Sequence, residues 1–419
     1  VLIRDVCIVG AGPAGTAAAI TLARHGRSVT VIDKATFPRD KICGDGLTTG
    51  ALRLLEELGL DPHDVASWTP VDDAVVRGPS GREVTFPLPR DGGAFSVVAR
   101  RQDLDHALVK LARAEGAEVL EGEAFVSLDV GTSNVTITTS RGKTIVSRYV
   151  IAADGMWSPV RKALGVGIEG YLGEWHAFRQ YFTGVSLRAS AELMVWFEPD
   201  LLPGYAWSFP LPNGGANVGF GIVRGGEHRV ADMKRIWPEL LSRPHIAAFL
   251  GPDAKPEQPH RAWPIPARID DIVLATGRVL FVGDAAAATD PMTGEGIGQA
   301  LLSGLLAAEA IAHGHSLAPD RVRRDYEKAI RRELVADHRV AHALMGVLAH
   351  RRAANAALAI AGATAWTRRN FARWLFEDYP RATLLTPGRW HRGIFSSPGA
   401  SFDHDPTCGH DHHGHGHGR

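Results

Sequence analysis

The hydrophobic pattern changes period along the chain. Val6-Cys7-Ile8-Val9 is an apolar run of strand length that stops at Gly10. Residues 16–25 carry Ala and Leu at helical spacing and stop at Gly26, and Val29-Thr30-Val31-Ile32 is a second strand ending at Asp33. Leu52, Leu54, Leu55 and Leu58 predict a short helix over 51–59, stopped by Gly59. A further helix is predicted over 103–116, opened by an Asp cap and closed by Gly116. Val135 and Ile137, then Ile145 and Tyr149-Val150-Ile151, predict a hairpin over 132–150. Residues 171–225 are dense in aromatic and β-branched side chains and read as antiparallel strands. A late strand over 279–283 precedes a long small-residue helix from about 296, and the chain from 321 into the 390s reads as helical and Arg-rich. The last stretch is a His/Gly/Asp tail, and no internal repeat is present.

Gly10, Gly12 and Gly15 fall between the first strand and the first helix. In that setting the first glycine permits the turn, the second lets a pyrophosphate approach the backbone, and the third lets helix and sheet pack. The helix N-terminus offers free N–H groups to the phosphates, and Asp33 can accept from an adenosine ribose hydroxyl. Residues 4–33 alone do not choose between FAD and NAD.

Composition narrows the class. The chain has 419 residues, 46 Lys+Arg against 46 Asp+Glu, 45% hydrophobic and 22% charged residues. These values fit an ordinary soluble globular protein of two or three domains and argue against a generic nucleic-acid binder. Cys7, Cys43 and Cys408 are too few and scattered for a disulfide framework or an all-Cys cluster, so a reducing compartment is expected. The apolar start is broken by Arg4 and Asp5 and reads as a strand, not a signal peptide. The apolar stretch near 353–366 falls short of the roughly 20 residues a membrane span needs. The expected location is cytoplasmic, with any membrane contact peripheral, at the inner membrane face.

Later motifs favour FAD. Phe281-Val282-Gly283-Asp284-Ala285-Ala286 resembles the second FAD motif of the p-hydroxybenzoate-hydroxylase-like flavoproteins, whose Asp binds the ribitol chain. Ala153-Asp154-Gly155-x-x-Ser158-Pro159-Val160-Arg161 resembles the Asp-Gly motif of that superfamily, and Arg101-x-x-Leu104-Asp105 its arginine ahead of a helix. Pro291-x-x-Gly294-Glu295-Gly296 precedes a helix of Gly, Ala, Leu and Gln whose N-terminus can stabilise negative charge on the N1/C2 edge of reduced flavin. The plainer reading is a helix entry turn with Glu295 as an exposed first-turn acid.

Two segments resemble the geranylgeranyl reductase family. They are Pro38-Arg39-Asp40-Lys41-Ile42-Cys43-Gly44-Asp45-Gly46-Leu47, similar to its Lys-x-Cys-Gly stretch beside the isoalloxazine, and Gly204-Tyr205-Ala206-Trp207-Ser208-Phe209-Pro210 with Val218-Gly219, similar to its substrate-pocket motif. The resemblance covers roughly residues 1–310; the His tail departs from the family. It implies an FAD enzyme that saturates isolated C=C bonds in isoprenoid chains, with menaquinone as first guess. Archaeal-type phospholipid, geranylgeranyl diphosphate and geranylgeranylated pigment stay open as substrates, and NAD(P)H or ferredoxin as external reductant. The implied cofactor residues are Gly10, Gly12, Ala14, Gly15, Asp33, Lys34, Cys43, Gly44, Asp45, Gly46, Arg101, Asp154, Gly155, Asp284, Pro291, Gly294, Gly296 and Ile297. Tyr205, Trp207 and Phe209 would line the substrate; Cys43 would position or relay a proton, and Tyr205 and Trp207 would steady cationic character. Without the resemblance, Cys43 reads equally as a small buried cysteine, and the aromatic trio as sheet-core packing. Lys41 or a helix N-terminus can lower the Cys43 pKa.

The expected fold is α/β. It has a Rossmann-type FAD-binding domain (1–70, 97–162, 272–330), an inserted antiparallel β-sheet substrate domain (71–96, 163–271), a helical C-terminal region (331–403) and a flexible His-rich tail (404–419). A flavin monooxygenase or halogenase is the competing activity. Against it, there is no Lys between Lys41 and Lys110, and the aromatic segment lacks the halogenase Trp-x-Trp-x-Ile-Pro. A metal-binding tail is a second alternative, on His404, His410, His412, His413, His415 and His417 with Cys408 and Asp411; the folded part predicts no metal site. Residues 321–400 hold 15 Lys+Arg and 6 Asp+Glu. Arg351, Arg352, Arg368, Arg369 and Arg373 alternate there with Trp366, Phe371, Trp374 and Phe376, which suits an anionic bilayer surface. The alternative is a solvated helix pair covering the flavin domain.

Overall fold

Leu2–Val9 sits inside a parallel sheet, which is why its second half is an unbroken apolar run. The computed structural model describes residues 1–314, 318–390 and 394–402. The parallel strands run in the order Glu118–Glu121, Val29–Asp33, Leu2–Val9, Thr144–Ala152, Val279–Phe281, with Ala275–Thr276 antiparallel at the edge. The order reverses beside Leu2–Val9: Val6 pairs with Val29 on one side and Tyr149 on the other. A crevice therefore opens at the carboxyl ends of these strands, above Gly10 and Ala153. Val135–Thr139 pairs antiparallel with Thr144–Ala152, the hairpin the alternation predicts, and Phe125–Val130 adds a further antiparallel strand outside the predicted span.

The first helix, Pro13–Arg24, starts three residues ahead of the Ala/Leu pattern, because Pro13 suits a first helical turn. Ile297–Gly314 packs tightly against it: a Cβ on Gly304 would lie 2.1 Å from the Ala14 carbonyl oxygen. That contact explains the small residues of the later helix. Arg101–Ala114 begins ahead of the expected Asp cap, at Arg100, and Asp103 stands in the first turn, where the helix dipole favours an acid.

The second sheet runs Lys255–Pro256, Trp175–Thr183, Gly215–Val223, Tyr205–Leu211, Leu193–Trp196, Asp73–Arg77, Glu83–Pro87, with Arg261–Ile265 also on Trp175–Thr183. One pair departs from the antiparallel expectation: Leu193–Trp196 runs parallel to Asp73–Arg77, because the latter strand arrives from the flavin-domain side of the chain.

Helices Ala336–Leu348, Arg351–Ala361 and Ala365–Leu375 follow. The last two lie on the second sheet, not on the flavin domain. Phe371 packs on Phe86 at 4.7 Å between ring centroids, and Leu358 closes on Gly78. This corrects the surface reading of several residues. Arg373 is buried on Asp378 and the Ser397 carbonyl, Phe376 is buried, and Phe371 and Trp374 are half-buried. Trp366 stays exposed. No described helix is long and apolar enough to cross a membrane. The expected tail site, from His404 on, lies outside the described residues.

Candidate active site

The glycine loop is shaped by what side chains would strike. Gly10 has φ +104° and a Cβ there would sit 2.2 Å from the Ala153 carbonyl oxygen; one on Gly15 would sit 1.9 Å from that of Gly10. Gly12 faces open space, and the first atoms it meets are Nη2 of Arg39 at 3.8 Å and of Arg101 at 4.0 Å. A concave backbone before a helix N-terminus, faced by two guanidiniums, matches a pyrophosphate in shape and charge. Asp105 holds both arginines, accepting from Arg101 Nε at 2.8 Å and pairing with Arg39 at 2.9 Å. Asp33 has a local task besides bordering the cavity with Lys34: it accepts from Ala11 N at 2.7 Å and Ala35 N at 2.8 Å, fixing the loop. Asp154 and Asp284 border the same space. Asp154 Oδ2 accepts from Val160 N at 3.0 Å, while Oδ1 is buried without a partner. Burial pushes this carboxyl up to about 6. A buried orphan acceptor at the end of a central strand fits a ribitol hydroxyl.

The loop from Cys43 to Gly46 lies on the Phe209 ring; Cβ atoms on Gly44 and Gly46 would meet it at 3.4 and 3.3 Å. Asn217 ties the loop to the aromatic strand. Its Nδ2 donates to the Cys43 carbonyl at 2.9 Å and to Asp45 Oδ2 at 2.8 Å, and its Oδ1 accepts from Trp207 Nε1 at 3.2 Å. Asp45 borders the cavity, but its carboxylate is engaged by the second sheet, also accepting from Tyr181 Oη at 2.7 Å. Tyr205, Trp207 and Phe209 form a ladder with centroids 6.0 and 6.2 Å apart. Tyr205 Oη donates to the Thr293 carbonyl, and Trp175 Nε1 to that of Pro291 at 2.9 Å, so aromatic side chains pin the turn ahead of Gly294 and Gly296.

The expectation that Lys41 or a helix N-terminus lowers the Cys43 pKa is overturned. Burial pushes the thiol up to about 11, against the pull of Arg101. Lys41 lies 3.4 Å over the Trp263 ring, and burial brings it down to about 8. Cys43 is a thiol at neutral pH.

The exposed-acid reading of Glu295 is also wrong: it lines the cavity, and its Oε1 accepts from Gly298 N at 2.8 Å, capping the helix. Burial first, then the neighbouring Glu377, pushes it up to about 8. Sequence reasoning missed Glu377, Arg381 and Asn217. Asn217 stands next to the Val218-Gly219 signal; nothing local marks the other two.

One cavity of about 890 Å³ joins these features. It runs from the glycine loop past Cys43 and the aromatic ladder into an apolar channel. Val76, Leu193 and Val195 of the sheet, Phe197 just past its strand, and Leu344, Val347, Leu348, Leu358, Phe371 and Trp374 of the C-terminal helices line the channel. Long apolar walls suit a hydrocarbon chain.

Residues 4–337 match the family model described as FAD binding domain. The chain is 36% identical over 335 residues to the menaquinone reductase of Mycobacterium tuberculosis (strain ATCC 25618 / H37Rv), covering 73% of this chain and 76% of that one. It is 32% identical over 318 residues to digeranylgeranylglycerophospholipid reductase 2 of Methanopyrus kandleri, covering 74% and 76%. Among solved structures, a geranylgeranyl bacteriochlorophyll reductase-like protein from Thermoplasma acidophilum superposes with a TM-score of 0.76 at 23% identity, over 92% of this chain and 99% of that one. The halogenase PltM in complex with FAD shares the fold at a TM-score of 0.69 and 16% identity, over 84% and 78%.

Proposed function

The chain belongs to the geranylgeranyl reductase family of FAD-binding proteins, and from that membership we propose that it saturates isolated C=C bonds in the isoprenoid chain of a lipid, with the menaquinone tail as first substrate. The observation that carries this reading is the single cavity linking the dinucleotide loop to a long apolar channel. The menaquinone and digeranylgeranylglycerophospholipid reductases are related in sequence over about three quarters of the chain, whereas the halogenase shares only the fold.

FAD, when bound, supplies the hydride. Gly10, Gly12, Ala14 and Gly15, with Arg39 and Arg101, would hold its pyrophosphate; Asp33 and Lys34 the adenosine side; Asp154, Gly155 and Asp284 the ribitol. Cys43, Gly44, Gly46, Pro291, Gly294, Gly296 and Ile297 would border the ring. Asp45, tied to Tyr181 and Asn217 through Oδ2, holds the Cys43 loop and would border the ring with it. Phe209 backs the loop, and Tyr205 and Trp207 present π faces to cationic character on the alkene. Cys43 keeps its proton and positions or relays one beside them. The reductant is external, NAD(P)H or ferredoxin. Residues 1–70, 97–162 and 272–330 form the flavin module, 71–96 and 163–271 the substrate module, and the later helices close the channel.

The substrate reaches the channel from an anionic membrane surface. Val347 lines the cavity and is 51% exposed; Ile360 and Trp366 are 70% and 66% exposed. Arg351, Arg352, Arg368 and Arg369 on the adjoining helices make no ion pair among the described residues, although most of the neighbouring arginines do. The test uses reduced protein and menaquinone in anionic vesicles without oxygen. The expected product, after air reoxidation of the quinone ring, is heavier by one H2 in its chain. An unchanged chain, or an oxygenated product once oxygen is admitted, overturns the reading.

A further inference from the structure

We infer that Glu295 is the acid that protonates the alkene, and that Glu377 keeps the proton on it; the inference rests on the reductase reading above. An isolated alkene takes up one proton for each hydride, so the cavity needs an acid on its wall. Glu295 lines the cavity together with Cys43 and Tyr205. The Tyr205 hydroxyl is already committed to the Thr293 carbonyl.

Two carboxyl groups meet one guanidinium here, and Glu295 stands next to them, its backbone carbonyl accepting from Asp290 N at 2.8 Å. Arg381 Nε lies 3.2 Å from Asp290 Oδ2, and its Nη2 donates to Glu377 Oε1 at 3.4 Å. Asp290 Oδ1 is occupied by Met292 N and by Thr293 N and Oγ1. Glu377 Oε1 also accepts from Gln299 Nε2 at 2.9 Å, and Oε2 from Thr48 Oγ1 at 3.2 Å. Glu295 has no cation of its own among the described residues, only the helix N–H groups. Asp337, the next acid, is answered by Arg389 at 3.1 Å. Arg381 Nη1 and Gln299 Oε1 are buried without partners, so the cluster is not a closed structural network. The guanidinium is already shared by Asp290 and Glu377, so Glu295 beside them holds its proton more firmly, and it is the one of the three carboxyl groups that lines the cavity.

The acidities agree. Burial and Glu377 push Glu295 up to about 8, while desolvation pushes the half-buried Cys43 thiol up to about 11. A carboxyl protonated at neutral pH yet close to it is the more effective general acid. In the step, the hydride electron pair forms the C–H bond at one alkene carbon. The second C–H bond forms as the Glu295 O–H bond breaks, and the carboxylate regains a proton from water. Flavin is oxidised and the alkene reduced.

The experiment is rapid-quench single turnover of dithionite-reduced holoenzyme with menaquinone in vesicles, read as chain saturation by mass. The wild-type rate should be flat to about pH 8 and fall above it. Glu295→Gln should keep FAD and its reduction by dithionite but lose about 100-fold or more in saturation, with no basic limb. Glu377→Gln removes the neighbouring negative charge, so the limb should move to lower pH by about one unit. Infrared spectra of the apoprotein should show a protonated carboxyl titrating near pH 8, absent in Glu295→Gln. Saturation by Glu295→Gln at the wild-type rate overturns the role of Glu295 alone, as does a limb unmoved in Glu377→Gln. A wild type that saturates no chain overturns the reductase reading and this inference with it. If Glu295→Gln fails to fold, the Glu377→Gln limb decides.

Discussion

Trp207 keeps its place because Gly219, opposite it, has no side chain: a Cβ there would stand 2.3 Å from both the Phe178 carbonyl oxygen and the Trp207 ring. Gly219→Ala should cost about 1–3 kcal/mol by overpacking, read as a lower Tm, and should weaken chain saturation more than FAD content. Asp45 tests the electrostatics. Burial raises its carboxyl to about 6, above the ordinary Asp value near 4. The folded state therefore holds this proton longer than the unfolded one, and the stability it contributes is lost as pH rises from about 4 to 6. Across that window wild type should lose about 3 kcal/mol relative to Asp45→Asn, measured as apoprotein unfolding free energies. Cys43→Ser should keep FAD while chain saturation falls; full turnover would remove Cys43 from the proton path. The residue types at Gly219 and Cys43 stood out in the sequence. The state of the Cys43 thiol did not, because burial outweighs the adjacent charges.

At the level of elements, the strand–loop–helix over residues 2–24 was legible because its logic is local. Each glycine answers to a chain segment a few residues away or to the neighbouring strand. Gly15→Ala should abolish FAD retention, read by flavin absorbance after purification, since its Cβ would strike the Gly10 carbonyl. The aromatic strand was legible by alternation, since Tyr205, Trp207 and Phe209 share one face. Helix ends were less so: Arg101–Ala114 starts at a residue without a side-chain cap. The parallel Leu193–Trp196 and Asp73–Arg77 pair was beyond reach, because strand order depends on the chain path between domains and not on either strand's pattern.

For the whole molecule, the C-terminal positive charge is real but mostly spent on ion pairs, leaving a small free group beside exposed apolar side chains. Replacing Arg351, Arg352 and Arg369 with Glu should abolish flotation with anionic vesicles at low salt while leaving FAD content unchanged. Equal flotation would remove the membrane-facing surface. The sequence by itself determined the dinucleotide loop, the flavin motifs and the aromatic face, because each is written in residues adjacent along the chain or on one strand. Only the tertiary structure decided which arginines lack an acidic partner, that the C-terminal helices line the channel, and that Glu295 stands beside Glu377. Burial and charge partners arise between segments far apart in the chain, and no local pattern records which of them will meet.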